Sequence, residues 1–239
     1  MILGIYGYQD SGKTKLVEEL VRELVKKDYR VSSIKHTRRR KSIDSEGKDT
    51  WRHWLAGSDP VGFSSDTETS IIKHSKMSVD DFAKIIMREF EPDVLVIEGY
   101  KDGPFPKVAL GDVESRKGTV MVNPSMKELV AYVDAEVAFE RVLGELPGLD
   151  CGKCGLDCEG LARAIAAGKR RLKDCRELPK AGVSIVVGGK TIATGKFVSS
   201  IVEDTVRGML SSLKGYEPGK EVEIRLDAKK AVSKKRKRN

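Results

Sequence analysis

No apolar run in this chain of 239 residues approaches the roughly 20 residues that span a bilayer. Nor does its N-terminal stretch combine a basic start, an apolar centre and a small-residue cleavage site. Membrane-spanning and secreted readings are therefore set aside, and a cytoplasmic protein without a membrane partner is expected. Aromatic residues are scarce at 6%, against 33% charged, as in soluble intracellular proteins. Cysteine is scarce too: there are four, all between Cys151 and Cys175. In a cytosolic chain such a cluster points to one ligand site rather than to disulfides or core packing. No N-K-x-D or T-K-x-D segment occurs. That is the usual signal for guanine selectivity in regulatory GTPases, so motifs alone leave guanine and adenine undistinguished.

Net positive charge is nearly absent once the tail is set aside. Seven of the net +8 charges come from Lys229, Lys230, Lys234, Lys235, Arg236, Lys237 and Arg238. Such a run reads as a solvated, disordered terminus, with a weak contact to nucleic acid or an acidic partner as the lesser reading. Nucleic acid is not an expected partner of the body, which carries about one net charge.

What is present is Gly7-Tyr8-Gln9-Asp10-Ser11-Gly12-Lys13-Thr14, which fits G-x-x-x-x-G-K-[ST] at every fixed position. Before it, Ile2 to Tyr6 reads as a buried strand. Behind it, Leu16, Val17, Leu20, Val21, Leu24 and Val25 recur at helical spacing. A strand, a glycine-bounded loop and a helix start form an anion trap, in which backbone N–H groups and the helix dipole converge on phosphates. The expected ligand is a nucleoside triphosphate held by Gly7, Asp10, Ser11, Gly12, Lys13, Thr14 and Lys15. Lys13 reaches the terminal phosphates and the Thr14 hydroxyl ligates Mg²⁺.

Downstream, Val31 to Lys35 reads as a second parallel strand opening into His36-Thr37-Arg38-Arg39-Arg40-Lys41. Ligands of open α/β sheets lie outside the carboxyl ends of strands, so Arg38 and its neighbours are placed to face the triphosphate or a second anion. His36 by itself reads as an ordinary exposed loop histidine. A short helix is expected over Asp49 to Ala56, with Trp51 and Trp54 as packing residues. A hairpin follows over Val61–Ser64 and Thr69–Lys73, then a helix capped by Ser78 with Asp81 at the capping-box position. The run Asp93 to Glu98 is apolar and ends in a carboxylate, the pattern of a strand beside the phosphate loop whose acid orders Mg²⁺. Glu98 is assigned that role, with Gly99 allowing the backbone to pass close to the phosphates. Asp93 is placed at the strand's far end. Thr119–Val122 and Leu129–Val133 read as further short strands.

Residues 1 to about 140 resemble molybdopterin-guanine dinucleotide biosynthesis protein B, the MobB family of P-loop proteins. The matching segments are Gly7 to Thr14, Ile34-Lys35-His36-Thr37, Ile43-Asp44 with Gly47-Lys48-Asp49, Ala56-Gly57, Ile97-Glu98-Gly99-Tyr100-Lys101 and Phe105-Pro106-Lys107. The resemblance implies GTP binding with Mg²⁺, weak GTPase activity and a homodimer. It also implies support of the guanylyltransferase that attaches GMP to molybdopterin, and contact with molybdopterin-bearing enzymes. Arg38, Arg39 and Arg40 depart from the more mixed family sequence, as does everything beyond residue 140.

Gly144, Pro147 and Gly148 mark a linker before Cys151, Cys154, Cys158 and Cys175, spaced C-x₂-C-x₃-C-x₁₆-C. Four thiols without a nearby histidine suit a [4Fe–4S] cluster or structural Zn²⁺. Zinc ribbons usually carry two C-x₂-C knuckles, and this chain has one. The stretch resembles the four-cysteine iron–sulfur domain of corrinoid iron–sulfur proteins and of membrane-bound electron-transport subunits, with the third spacing one residue shorter. Leu161, Ala162, Ile165 and Ala166 give one helical stripe between the ligands. Beyond it, Val183–Val187 and Lys190–Ala193 flank a Gly-Gly turn, a helix runs from about Phe197 to Leu213, and Glu221 to Leu226 alternates like an edge strand.

The expected architecture is α/β: a P-loop NTPase-like, mainly parallel sheet with flanking helices over 1–143. An iron–sulfur module over 144–178, a small α+β unit over 179–228 and a basic tail over 229–239 follow. The expected function is a GTP-binding accessory protein of molybdenum or tungsten cofactor biosynthesis, with Lys13 and Glu98 carrying any slow hydrolysis. A small-molecule kinase with Asp10, Asp44 or Asp49 near the acceptor, and a nucleotide-gated redox protein, are the alternatives.

Overall fold

The computed structural model describes residues 1–39, 41–178 and 183–226. Arg40 and the basic tail lie outside these residues. The chain divides into two compact units, Met1–Cys175 and Arg176–Asn239.

In the first unit, β1 (Ile2–Gly7) leads through the phosphate loop into α1 (Lys13–Val25). Next come β2 (Val31–Lys35), the short α2 (Asp49–Leu55) and the antiparallel pair β3 (Val61–Ser64) and β4 (Thr69–Ile72). Then α3 (Val79–Phe90) leads to β5 (Val94–Glu98), β6 (Lys107–Leu110), β7 (Thr119–Val122), α4 (Met126–Glu145) and α5 (Cys158–Ala166). The main sheet is parallel throughout, in the order β2-β5-β1-β6-β7. Parallel strands covered on both faces need apolar side chains on both sides, and Val94, Leu95, Val96 and Ile97 are all fully buried. Val94 and Val96 join Leu3, Ile5 and Val108 under Leu20 and Leu24 of α1 and Leu129, Val133 and Val137 of α4. Leu95 and Ile97 face the other way, with Ile34 and Ala83 of α3. Each fully buried Val, Leu or Ile contributes about 1.5–3 kcal/mol, so this three-layer core is what fixes the strand ends that carry the site.

Two sequence expectations fail here. Leu129–Val133 is not a strand but the second turn of α4. Ser125 and Glu128 close a capping box at its start, and Leu129, Val133 and Val137 recur every four residues on the buried face. Gly144 therefore lies inside a helix, and the connection begins at Leu146. Ser78 does cap α3, its hydroxyl accepting from Asp81 N.

The second unit holds a hairpin of β8 (Ile185–Val187) and β9 (Lys190–Ile192), turned by Gly188 and Gly189 at positive φ, and α6 (Lys196–Leu210). Residues 221–226 form no strand. The alternation there is real, but among the described residues no neighbouring strand offers it a ladder, and an edge needs one to exist.

Candidate functional site

The carboxyl ends of β1, β2 and β5 meet at a cavity of about 800 Å³. Gly12, at φ +82°, turns the chain into α1, and no side chain caps that helix. Its first-turn N–H groups thus face the cavity side of the loop, the arrangement that takes up anions. Lys13 folds its ammonium back onto Tyr8 O and, at 3.2 Å, Ser11 Oγ. Gly7 cannot carry a side chain, since a Cβ there would lie 2.5 Å from both Leu110 O and Ser11 Oγ.

Glu98 ends β5 with its side chain 8% exposed. Ile5 of β1 and Lys35 of β2 are both in register with it. Its Oε1 accepts from Thr14 Oγ1 at 3.1 Å and pairs with Lys35 Nζ. A buried carboxylate beside a hydroxyl supplies oxygen donors of the kind a small hard cation takes, and the Lys35 ammonium occupies the cationic place beside them. Gly99 follows at φ +90°, where a Cβ would sit 2.5 Å from His36 O. The close approach it permits is therefore to the β2 loop, because His36 N in turn donates to Glu98 O at 2.8 Å. Gly99→Ala combines left-handed strain with overpacking, and should destabilise the first unit by about 2–4 kcal/mol. A lower denaturant midpoint at unchanged slope is the expected result, and an unmoved midpoint would show that the two backbones separate freely.

The cavity collects far more positive than negative charge. Lys13, Lys15, Lys35, Arg38, Arg39 and Lys41 line it against Asp10 and Glu98. Arg38 pairs with Asp102 at 2.6 Å and Arg39 Nη2 donates to Gln9 Oε1. Both pairs are exposed, so each costs little to exchange for an anionic ligand. His36 is not the exposed histidine expected: it is half-buried and meets Tyr100 edge-on at 5.3 Å. Burial, with Arg38 adding to it, holds its pKa below the ordinary imidazole value.

The four cysteines are all free thiols. Gly152 and Gly155 take positive φ and close a tight turn through Gly155 N to Gly152 O, at 2.8 Å. Asp150 Oδ1 accepts from Cys158 N at 2.9 Å, and Asp157 caps α5 by accepting from Gly160 N at 2.7 Å. A 3₁₀ turn, Leu172–Asp174, returns the chain to Cys175. Cys154, Cys158 and Cys175 pack on one apolar cluster built from Phe139, Leu146, Leu161 and Ala162, while Cys151 is exposed. Among the described residues no three His, Cys, Asp or Glu side chains are gathered closely enough to hold a metal ion. The residue types fit an iron–sulfur or zinc site in kind, and three of the four cysteines border one apolar cluster, without being gathered into a ligand set among the described residues.

A family model described as "Molybdopterin guanine dinucleotide synthesis protein B" matches residues 2–135, over half of the chain. The chain belongs to the MobB family. A second model, described as "Putative Fe-S cluster", matches residues 146–176 and so takes in all four cysteines of this MobB-family chain. A Methanocaldococcus jannaschii protein named "Putative molybdopterin-guanine dinucleotide biosynthesis adapter protein" is 28% identical over 239 residues, covering 96% of this chain and 98% of that protein. A Haemophilus influenzae "Molybdopterin-guanine dinucleotide biosynthesis adapter protein" is 40% identical over 118 residues, covering 48% of this chain and 66% of the relative. The crystal structure of Bacillus subtilis MobB aligns at a TM-score of 0.45 and 21% identity, over 55% of this chain and 96% of that one.

Of the residues expected from sequence, Gly7, Asp10, Gly12, Lys13, Thr14, Lys15, Arg38 and Glu98 of this MobB-family site all line the one cavity. Ser11 does not; its hydroxyl lies behind the loop, against Lys13 Nζ and the space beside Gly7. Sequence reasoning missed Gln9 and gave Lys35 no role. Lys35 could have been suspected from its place at the end of β2, two positions along the sheet from the phosphate loop. Asp44, a candidate acceptor base for the kinase reading, is 3% exposed with its carboxylate engaged by Thr50 and His74.

Proposed function

We propose that this chain is a GTP-binding adapter of molybdopterin-guanine dinucleotide biosynthesis. In this reading it works beside the guanylyltransferase, in the cytoplasm and as a homodimer. The observation that carries the reading is the convergence of Lys13, Thr14, Glu98 and the cationic loop on one cavity at the strand ends. In this reading the N–H groups of the phosphate loop and Lys13 take the β- and γ-phosphates. Thr14 and Glu98 hold Mg²⁺, which neutralises phosphate charge when bound. Lys35 holds Glu98 in place, and Arg38, Arg39 and Lys41 meet either the triphosphate or the phosphate of molybdopterin. The names of the relatives support the adapter role.

Hydrolysis should be slow. Electrostatic clamping alone gives only part of the acceleration seen in efficient phosphoryl transfer. An arginine from a dimer mate or the guanylyltransferase would complete the site. Glu98→Gln tests the metal role: it should remove the gain in GTP affinity that Mg²⁺ gives, about 10- to 100-fold for one charge-assisted contact. Affinity measured without Mg²⁺ should change little. A fluorescent GTP analogue titrated with and without Mg²⁺ reads this directly, and an undiminished Mg²⁺ dependence in the variant counts against Glu98.

The cysteines would hold a [4Fe–4S] cluster through Cys151, Cys154, Cys158 and Cys175, with one zinc as the alternative product of the same donor set. A nucleotide-gated redox role is favoured by one observation. Helix α4 packs on α1 through Leu129, Val133 and Val137 and on the cysteine cluster through Phe139. Arg163 of α5 clasps it further on, over the Phe139 ring at 4.0 Å and paired with Glu136 at 2.9 Å. GTP turnover that differs between oxidised and dithionite-reduced protein would support this role; identical turnover would dismiss it.

A further inference from the structure

The cationic loop at the nucleotide cavity is anchored at both ends. At its start, His36 N donates to Glu98 O at 2.8 Å. At its far end, Asp44 is buried with its side chain 3% exposed. One of its carboxylate oxygens accepts from Thr50 Oγ1 at 2.8 Å, and the other faces His74 Nε2 at 3.2 Å. His74 comes from the segment after β4 and is itself 7% exposed. Its ring stacks on Trp54, with centroids 4.1 Å apart and 13° between planes, and meets Trp51 edge-on at 5.5 Å. Its backbone N–H donates to Asp59 Oδ1 at 3.0 Å, and Asp59 also pairs with Lys73. The imidazole is thus held on every side, and Asp44 is held by it.

Lys41 is three residues from Asp44, so a fixed Asp44 confines Lys41 to within roughly 10 Å of it. Arg39 and Lys41, which line the cavity, then enter the encounter with an anion already gathered. Without the anchor the chain between β2 and α2 would have to be ordered at the moment of binding, and that lost freedom would appear as weaker affinity.

We propose that His74 is a positioning residue of the nucleotide site: by holding Asp44 it keeps Arg39 and Lys41 at the cavity. This rests on the reading that the cavity binds a polyphosphate. A consequence follows for detection. The chain has two tryptophans, and both stand against His74, so intrinsic tryptophan fluorescence reports this anchor alone. Neither lines the cavity, so in this proposal a fluorescence response to nucleotide is carried to them by the loop.

The test uses the full chain, calorimetry with Mg·GTP and with inorganic tripolyphosphate, and tryptophan fluorescence. His74→Ala and Asp44→Asn should each weaken both ligands about tenfold, within the range for directly coupled neighbours. His74→Gln, which keeps a nitrogen donor for Asp44, should recover most of that loss. In a background of Arg39→Ala with Lys41→Ala, adding His74→Ala should cost less than about twofold more, because the groups it positions are already gone. The unmodified protein should change its tryptophan emission on filling, and the Arg39→Ala, Lys41→Ala protein should not. Undiminished affinity in His74→Ala, a full tenfold loss added to the double variant, or silent tryptophans in unmodified protein that does bind would each overturn the proposal. Failure of the unmodified protein to bind either ligand would instead remove the polyphosphate reading beneath it.

Discussion

Lys13→Ala is expected to weaken Mg·GTP binding by about a hundred- to a thousandfold, the effect of removing one partner from a desolvated charge contact. The ammonium already lies over the loop, between Tyr8 O and Ser11 Oγ, so no other cation of the site has its position. Lys15 is two residues further along α1 and Lys35 is occupied by Glu98. The fold should be indifferent to the change. Lys13 is the first residue of α1, alanine is the best helix former, and no core residue touches its side chain in the clusters that hold the sheet. Equilibrium dialysis with labelled nucleotide measures the loss, thermal unfolding checks that the melting point is retained, and the iron content should be that of the unmodified protein. GTP affinity within tenfold of the unmodified chain would mean that Lys13 is not the phosphate-binding cation.

Cys154→Ser combined with Cys158→Ser should reduce the metal content of the chain to almost none. These two are chosen because both pack on the Phe139 and Leu161 cluster, so their loss removes half of the expected donors from beside one another. Anaerobic reconstitution followed by iron, sulfide and zinc analysis distinguishes the outcomes. Iron and sulfide at equal amounts support the cluster, and about one zinc per chain with no sulfide supports the structural alternative. Full metal loading in the double variant would place the ligands elsewhere. Nucleotide affinity should be unchanged by the substitutions unless the two parts are coupled along α4.

Much of the nucleotide half was legible because its signals are local. The phosphate loop, the strand ending at Glu98 and the amphipathic helices each declare themselves within a dozen residues. Ser78 with Asp81 and the hairpin from Val61 to Ile72 follow from capping and turn chemistry in the same way. The strand assigned to Leu129–Val133 shows the limit of a short window. Five residues rich in valine and leucine fit either period, whereas Ser125 with Glu128 and the four-residue recurrence through Val137 declare a helix over a longer one. Glu221 to Leu226 failed for another reason: alternation describes a strand's faces but supplies no partner. The His74–Asp44 contact could not be read at all. It joins positions 30 apart in sequence, and a single chain gives no sign of which histidine meets which carboxylate. The same holds for the thiols: spacing proposes four ligands, but where each cysteine sits depends on packing between α4 and α5, which spacing does not describe.

The central claim is that the cup at the start of α1 captures a nucleoside triphosphate. Calorimetric titration of the full chain with Mg·GTP, with Mg·ATP run beside it, measures that without any variant. A saturable heat at one site per chain, larger in affinity for GTP, is the predicted result; no heat with either nucleotide would contradict it.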